Sequence, residues 1–407
     1  MTFKPTAMKA ALAAAAMLFA GTASAQYSDG VIKIGVMNDM SGLYSDITGP
    51  GSVWAARKAV EDFGAAAKGM KVEILAADHQ NKPDIGSNIA RQWIDVDKVD
   101  AIADVPTSSV GLAVNQIIRE KNKVHLNSGS ATSDMTGKAC SPNTVHWAYD
   151  TYMLSNGTGK ALVKTGGDTW YFLTADYAFG HALERDTEAV VLANGGKVLG
   201  KVRTPFPGQD FSSFLLQAQA SKAKVIGLAN AGGDTINSIK QAAEFGITKG
   251  GQNLAGLLVF VTDVHSLGLP TAQGLVLTES FYWDLNDGTR AWSREFAAAH
   301  KGRMPSMVQA GVYASVIHYL KALEALKSDA DGVKVVDKMK EMPTDDKLFG
   351  KGTIRVDGRK IHDAFLFEVK KPAESKGPWD YYKLRATIPA AEAFRPLAQS
   401  ECSLVKK

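Results

Sequence analysis

Two hydroxyl-rich stretches carry the chemistry that is easiest to place in this chain, Thr107-Ser108-Ser109 and Asn127-Ser-Gly-Ser-Ala-Thr-Ser133. Each follows a short apolar run, 99–105 and 124–126, of the kind that makes a buried parallel strand. Pro106 ends the first run. Thr107, Ser108 and Ser109 are then N-cap candidates for a helix with Val110, Val114, Ile117 and Ile118 on one face. This arrangement sets two hydroxyl loops at the carboxyl ends of adjacent parallel strands, the edge of an open α/β sheet where ligands bind. Free N–H groups at a helix start, with hydroxyls beside them, suit a small anion such as a carboxylate. A single loop of this type is also what ordinary helix capping produces; two in tandem point to binding.

The flanking sequence alternates strand and helix on both sides of this unit. A strand at 31–37 leads into a long loop holding Tyr44, then a helix with Val53, Ala56, Val60 and Phe63 on one stripe. A second strand at 70–76 precedes a helix lined by Ile85, Ile89 and Trp93, which completes a doubly wound lobe. The pattern restarts after Tyr149. Strands are expected at 170–174, 197–202, 225–230 and 254–261, with the loop 174–180 carrying Tyr177 and Phe179. Asn230 ends the third of these strands, and Thr262-Asp263-Val-His is expected at the tip of the fourth. Beyond a strand at 274–277 come three helical stretches between Thr289 and Met342, then strand-like runs at 364–369 and 381–387. Helices with no strand after them cannot complete a sheet, so they are expected back on the first lobe and the last strands on the second. Phe281-Tyr-Trp, at the end of a strand, reads as hinge packing.

The first residues bound the compartment. Lys4 and Lys9 precede an apolar run, and Ala23-Ser-Ala25 precedes Gln26, the pattern of a secretory signal cleaved after Ala25. Cleavage removes two lysines and no acids and lowers the formal charge from +4 to +2, which gives no basis for a nucleic-acid partner. Cys140 and Cys402 are the two cysteines, and in an exported chain an even pair reads as one disulfide. It would tie a poorly patterned C-terminal segment to the first lobe. Catalytic signatures are missing: neither Gly-x-Ser-x-Gly nor His-Glu-x-x-His occurs. Gly157-Thr-Gly-Lys160 has Leu154 where a phosphate loop needs Gly. The eight histidines lack ligand spacing, and Asp329-Ala-Asp-Gly lacks the further acids of a calcium loop. Asp176 and Tyr177 have no nucleophile–base partners. No catalytic residue, metal or cofactor is expected.

Several of these stretches together resemble the periplasmic solute-binding proteins of the leucine/isoleucine/valine class, which serve ABC importers. The likeness rests on Ile32-Lys-Ile-Gly-Val with Met40-Ser-Gly, Val105-Pro-Thr-Ser-Ser, Asn127-Ser-Gly-Ser-Ala-Thr, Thr174-Ala-Asp-Tyr-Ala-Phe-Gly and Gln241-Ala-Ala-Glu-Phe-Gly-Ile, in order along the mature chain. It implies the type I periplasmic-binding-protein fold: α/β, two doubly wound lobes joined by a three-crossover hinge that closes on ligand. The lobes would comprise 27–148 with 280–352, and 149–279 with 353–400. It further implies a monomer that binds a small molecule and docks an ABC permease of the inner membrane. By that resemblance Thr107, with Ser108 beside it, and Ala131-Thr132 hold the ligand's carboxylate and amino group. The resemblance also matches Phe179, with Tyr177 nearby, to an aromatic of the site and Asp263 to the acid that takes the amino group. From their own positions on loops at strand ends, Tyr44, Tyr177 and Phe179 suit binding and packing about equally, and Asn230, at a strand end, is a further ligand candidate.

Two departures bear on the ligand. Where amino-acid binders carry bulky aromatics, this chain has Ala231-Gly-Gly-Asp234, which removes side-chain volume from the second-lobe wall. A bulkier, aromatic carboxylate then becomes plausible beside a branched-chain amino acid. The family's first-lobe disulfide is also missing, with Pro106 where one partner would stand. The expectation is a periplasmic receptor for a small carboxylate-bearing solute. The alternatives are a periplasmic sensor on the same fold, for an amide, urea or aromatic compound, and a secreted enzyme.

Overall fold

The computed structural model describes residues 27–406. The expected signal segment, 1–25, lies outside the described residues. The first lobe runs β1 (Ile32–Asn38), α1 (Gly49–Phe63), β2 (Val72–Asp78), α2 (Pro83–Asp95), β3 (Ala101–Asp104), α3 (Ser108–Glu120), β4 (Val124–Asn127) and β5 (Thr144–His146). Its strands form one parallel sheet in the order β2-β1-β3-β4-β5. Every residue of β3 and β4 is buried, as a strand covered on both faces requires. One face packs α2 and α3 through Trp93, Val110, Val114 and Ile118 against Met37 and Ile102, so the apolar stripe read from the sequence is the stripe that the helix buries.

The chain crosses at 147–150 into α4 (Thr151–Leu154), a π-helical turn at Ser155–Gly159, and α5 (Lys160–Lys164). Gly157-Thr-Gly lies inside this helical stretch, where a Cβ on Gly157 would stand 2.2 Å from Thr278 Oγ1. That glycine serves close packing, as expected of a failed phosphate loop. There follow β6 (Thr169–Ala175), α6 (Ala178–Ala193), β7 (Lys197–Thr204), α7 (Ser212–Ala220), β8 (Val225–Ala229), α8 (Gly233–Glu244) and β9 (Asn253–Gly256). They build a second parallel sheet, β7-β6-β8-β9. The strand expected at 254–261 is shorter, because the chain turns into α9 (Val261–Leu267). Asp263 sits in the first turn of α9 and accepts the Phe260 N–H at 2.9 Å, so a helix start replaces the expected strand tip. After α10 (Leu269–Ala272) comes β10 (Val276–Glu279).

The next helices return to the first lobe, as the sequence pattern requires. They are α11 (Asp287–Ala299), α12 (Met307–Leu326) and α13 (Gly332–Glu341). α12 lies along α1, with Tyr313 donating to Asp62 at 2.6 Å and Ser306 to the Ile47 carbonyl at 2.7 Å. A small antiparallel sheet, β11 (Thr344–Asp346), β12 (Gly350–Ile354) and β13 (Lys360–Ile361), leads to the last crossing. β14 (Ala364–Val369) and β15 (Tyr382–Ile388) then pair with β10 in an antiparallel sheet of the second lobe.

Three chain segments therefore join the lobes. Two are stitched together by Arg359, fully buried, whose guanidinium donates to the Trp147 and Tyr149 carbonyls at 3.0 and 2.9 Å. In the remaining one, Phe281 packs on Trp292 and Phe349, while Tyr282 and Trp283 both donate to the Trp379 carbonyl. The aromatic cluster is hinge packing. Cys140 and Cys402 are bonded with Cα atoms 5.5 Å apart, which ties the C-terminal segment to the first lobe. No helix among the described residues is long and apolar enough to cross a membrane.

Candidate functional site

The turn after β3 is backbone under strain. Asp104, Val105 and Thr107 have φ of +77°, +54° and +71°, a region that β-branched residues rarely adopt. Each such residue costs on the order of 1–3 kcal/mol and persists where its surroundings over-determine it. Here they do. Val105 N–H donates to Met37 C=O and Gly129 N–H to Asp104 C=O, both at 2.9 Å, and Ser130 Oγ donates to Val105 C=O at 2.6 Å. The two hydroxyl loops thus lie on one another. Gly129 is needed at the crossing, because a Cβ there would stand 2.6 Å from Pro106 N.

Thr107 is the N-cap residue of α3, but its hydroxyl proton goes to Asn81 Oδ1. The Asn81 amide donates in turn to Asp39 at 2.7 Å, and Asp39 gathers the N–H groups of Ser41, Gly42 and Tyr44. One carboxylate therefore fixes the Tyr44 loop against the α3 start. The first N–H groups of α3 have no intrahelical acceptor, which makes them the available anion donors. Thr132 is buried behind this wall: its N–H donates to Ser108 Oγ at 3.1 Å and its Oγ1 accepts from the Asp134 N–H.

Between the lobes lies a small cavity, with about 20 Å³ of free volume, and Tyr44, Thr107, Ser108, Ala131, Tyr177 and Phe179 line it. Six of the residues singled out from the sequence thus come together. Thr132, Asn230 and Asp263 are not brought to its wall. Asn230 is occupied with Ser238 and Thr235, at 3.0 and 2.7 Å, inside the start of α8. Asp263 caps its own helix. Sequence reading missed Ile47, Tyr149, Leu258 and Val308, which also line the cavity. Three are apolar residues at element ends with no spacing signal. Tyr149, donating to Gly129 C=O at 2.9 Å, was visible only as the residue before the first crossover.

The second-lobe wall differs from expectation. The volume missing at Gly232 is not open space, because a Cβ there would stand 2.5 Å from Leu43 O and 2.9 Å from the Tyr44 ring. The first-lobe loop fills the gap that bulky side chains would have occupied. Gly233 N–H donates to Leu43 C=O at 3.3 Å, and Tyr44 OH meets Tyr177 OH at 2.5 Å, so these contacts join the lobes in a closed arrangement. Phe206 stacks on Tyr177 with ring centroids 3.9 Å apart. Burial raises both hydroxyls well above the usual tyrosine range, which keeps them neutral hydrogen-bonding groups. Burial also pushes Asp104, behind Gly129, up to about 7. Among the described residues no group of three or more His, Cys, Asp or Glu could hold a metal ion.

The periplasmic binding protein family profile matches residues 31–377. A solved periplasmic binding protein from Burkholderia mallei is 53% identical, with a TM-score of 0.90, over 93% of this chain and 100% of that one. A branched chain amino acid ABC transporter periplasmic ligand-binding protein from Burkholderia xenovorans LB400 is 39% identical, with a TM-score of 0.82, over 92% and 100%. The Leu/Ile/Val-binding protein homolog 6 of Brucella melitensis is 25% identical over 376 residues, 89% of this chain and 94% of its own. Two wound lobes, three crossings and a cavity at the sheet edges agree with these likenesses: the chain belongs to the periplasmic binding protein family, type I, the solute-binding proteins of ABC transporters.

Proposed function

We propose that the mature chain, cleaved after Ala25, captures a small carboxylate-bearing solute in the periplasm. The lobes that close on it are 27–148 with 280–352 and 149–279 with 353–400, and the loaded monomer delivers the solute to an ABC permease of the inner membrane. The observation that carries this reading is the meeting of the α3 start, at Thr107 and Ser108, with the cavity between the lobes. A helix N-terminus attracts negative charge and offers N–H donors aimed at it. The cavity's lining mixes hydroxyl and apolar side chains, as a site for a hydrophobic amino acid or an aromatic acid requires. The Burkholderia xenovorans relative is named for branched-chain amino acids, and the lining of Tyr44, Tyr177 and Phe179 suits either class.

A thermal-shift screen over amino acids, aromatic acids and short amides tests the reading. A carboxylate at a hundred times its Kd should add ~2.7 kcal/mol of stability. Calorimetry on that carboxylate then tests the cradle. Thr107→Ala frees Asn81 and loosens the loop that positions α3, and it should weaken binding by roughly 1.5–3 kcal/mol, the scale of a hydrogen bond to a charged group. Wild-type affinity in Thr107→Ala and Ser108→Ala alike would remove the anion site from Thr107 and Ser108.

A further inference from the structure

We infer that the cleft selects a carboxylate that carries no ammonium group, so that its ligands are aryl, oxo or plain aliphatic acids and not amino acids. The inference rests on the carboxylate reading above and narrows it.

Among the described residues, none that lines the cavity is Asp, Glu, Lys, Arg or His. Its polar side chains are the hydroxyls of Tyr44, Thr48, Thr107, Ser108, Tyr149 and Tyr177. A carboxylate can be held there without a cation, by the α3 start. An ammonium has no such partner, and burying one unpaired is costly enough to prevent binding.

The buried carboxyl groups in the surrounding protein are each turned to a protein donor, Asp39 to the Ser41, Gly42 and Tyr44 N–H groups and the Asn81 amide. Asp263 takes the Phe260 N–H at 2.9 Å, and Asp234 the Gly208 N–H at 3.0 Å. Glu279 accepts from Tyr382 OH at 2.7 Å. Asp104 accepts from Asn38 Nδ2 at 3.2 Å and lies behind Gly129. One oxygen each of Asp104 and Asp234 has no partner among the described residues, yet neither side chain reaches the cavity wall. Burial raises Asp104, Asp234 and Asp263 to about 7 and Glu279 well above the usual carboxylate range.

The tyrosine pair on the cavity wall supports the same choice. The Tyr44 and Tyr177 hydroxyls share one hydrogen bond, which leaves one hydroxyl proton and spare lone pairs for an uncharged group. Phe179 and Ala231 beside them offer apolar surface to a ring or a branched chain.

Matched pairs differing only at the amino group decide the matter by calorimetry at pH 7: leucine against 4-methylpentanoate and 4-methyl-2-oxopentanoate, and phenylalanine against 3-phenylpropanoate. The expected result is that an acid without the amino group binds at least 100-fold tighter than its amino-acid partner. Asp263→Asn, which keeps an acceptor for the Phe260 N–H, should leave that affinity unchanged. An amino acid that binds as tightly as its partner, or tighter, overturns this inference and leaves the carboxylate reading standing, the more so if Asp263→Asn abolishes the binding. Failure of every acid of both kinds, with binding of an uncharged amide in the same screen, overturns both.

Discussion

Three non-glycine residues at positive φ, Asp104, Val105 and Thr107, fall within four positions on the first-lobe wall of the cleft. The second-lobe wall reaches the same cavity through Tyr177, Phe179, Ala231 and Leu258, with the Gly232-Gly233 start of α8 next to Ala231. The first wall is cross-bonded in every direction: to β1 through Met37, to the neighbouring loop through Gly129 and Ser130, and to Asp39 through Asn81. The second touches the first chiefly through Leu43–Gly233 and Tyr44–Tyr177. Strain is thus kept where charge must be met with donors already in place, and backbone freedom where a surface must arrive and fit. Donors fixed before binding spare the ordering cost that weakens association.

The largest expected effect comes from spoiling the fit of the second wall. Gly232 has φ +56°, and a Cβ there overlaps the Leu43 carbonyl at 2.5 Å. Gly232→Val therefore strains its own backbone and keeps the lobes from meeting, while the first wall stays intact. Affinity should fall by on the order of 10³-fold, about 4 kcal/mol. A small-angle scattering profile that stays open at saturating ligand would show the cause. Closure at wild-type affinity would mean that the second wall yields far more easily than its contacts indicate.

The next test asks whether the first wall is as rigid and dry as its bonding implies. Burial holds Asp104 at about 7, against an ordinary value near 3.8. Between those values the folded protein keeps a proton that the unfolded chain has released. Stability should therefore fall as pH rises from about 4 to about 7 and then level off. Asp104→Asn should remove roughly 1–3 kcal/mol of that fall, measured by urea titration across the window. If the wall admitted water, Asp104 would titrate as an ordinary carboxyl and the two proteins would run parallel.

The contrast between the walls also governs what could be read in advance. The first wall was legible because its function uses residue types with a local signature: Pro106 stopping a strand, Thr and Ser at a helix start, Asn127 folding its own loop. The two wound lobes followed from the alternation of strand and helix, and the return of the late helices to the first lobe from the lack of a strand after them. The second wall is defined by what faces it across space. Nothing local says that Leu43 fills the volume above Gly232, so the same glycines read as an enlarged pocket. Asp263 misled for a related reason. The family likeness made it the acid for an amino group, but three residues after Phe260 it has a nearer use as the cap of a short helix. Val308, at the start of α12, enters the cavity from a helix far along the chain and has no sequence mark at all.

The smallest effect concerns the bond that joins the two walls. Tyr44 OH and Tyr177 OH meet at 2.5 Å in a buried setting, each on a loop held by its own lobe. Removing one hydroxyl leaves the other without its partner but close to the ligand, so each single change to Phe should weaken binding by roughly 1 kcal/mol. The double change should cost less than the sum of the two, because the second hydroxyl has nothing left to lose once the first is gone. The open form does not make this bond, so the loss should appear in the rate of ligand release and leave the rate of capture nearly unchanged. Stopped-flow tyrosine and tryptophan fluorescence separates the two rates. Strictly additive losses carried by the capture rate would mean that the hydroxyls act on the open protein, and the bond between the walls would then have no part in holding the cleft closed.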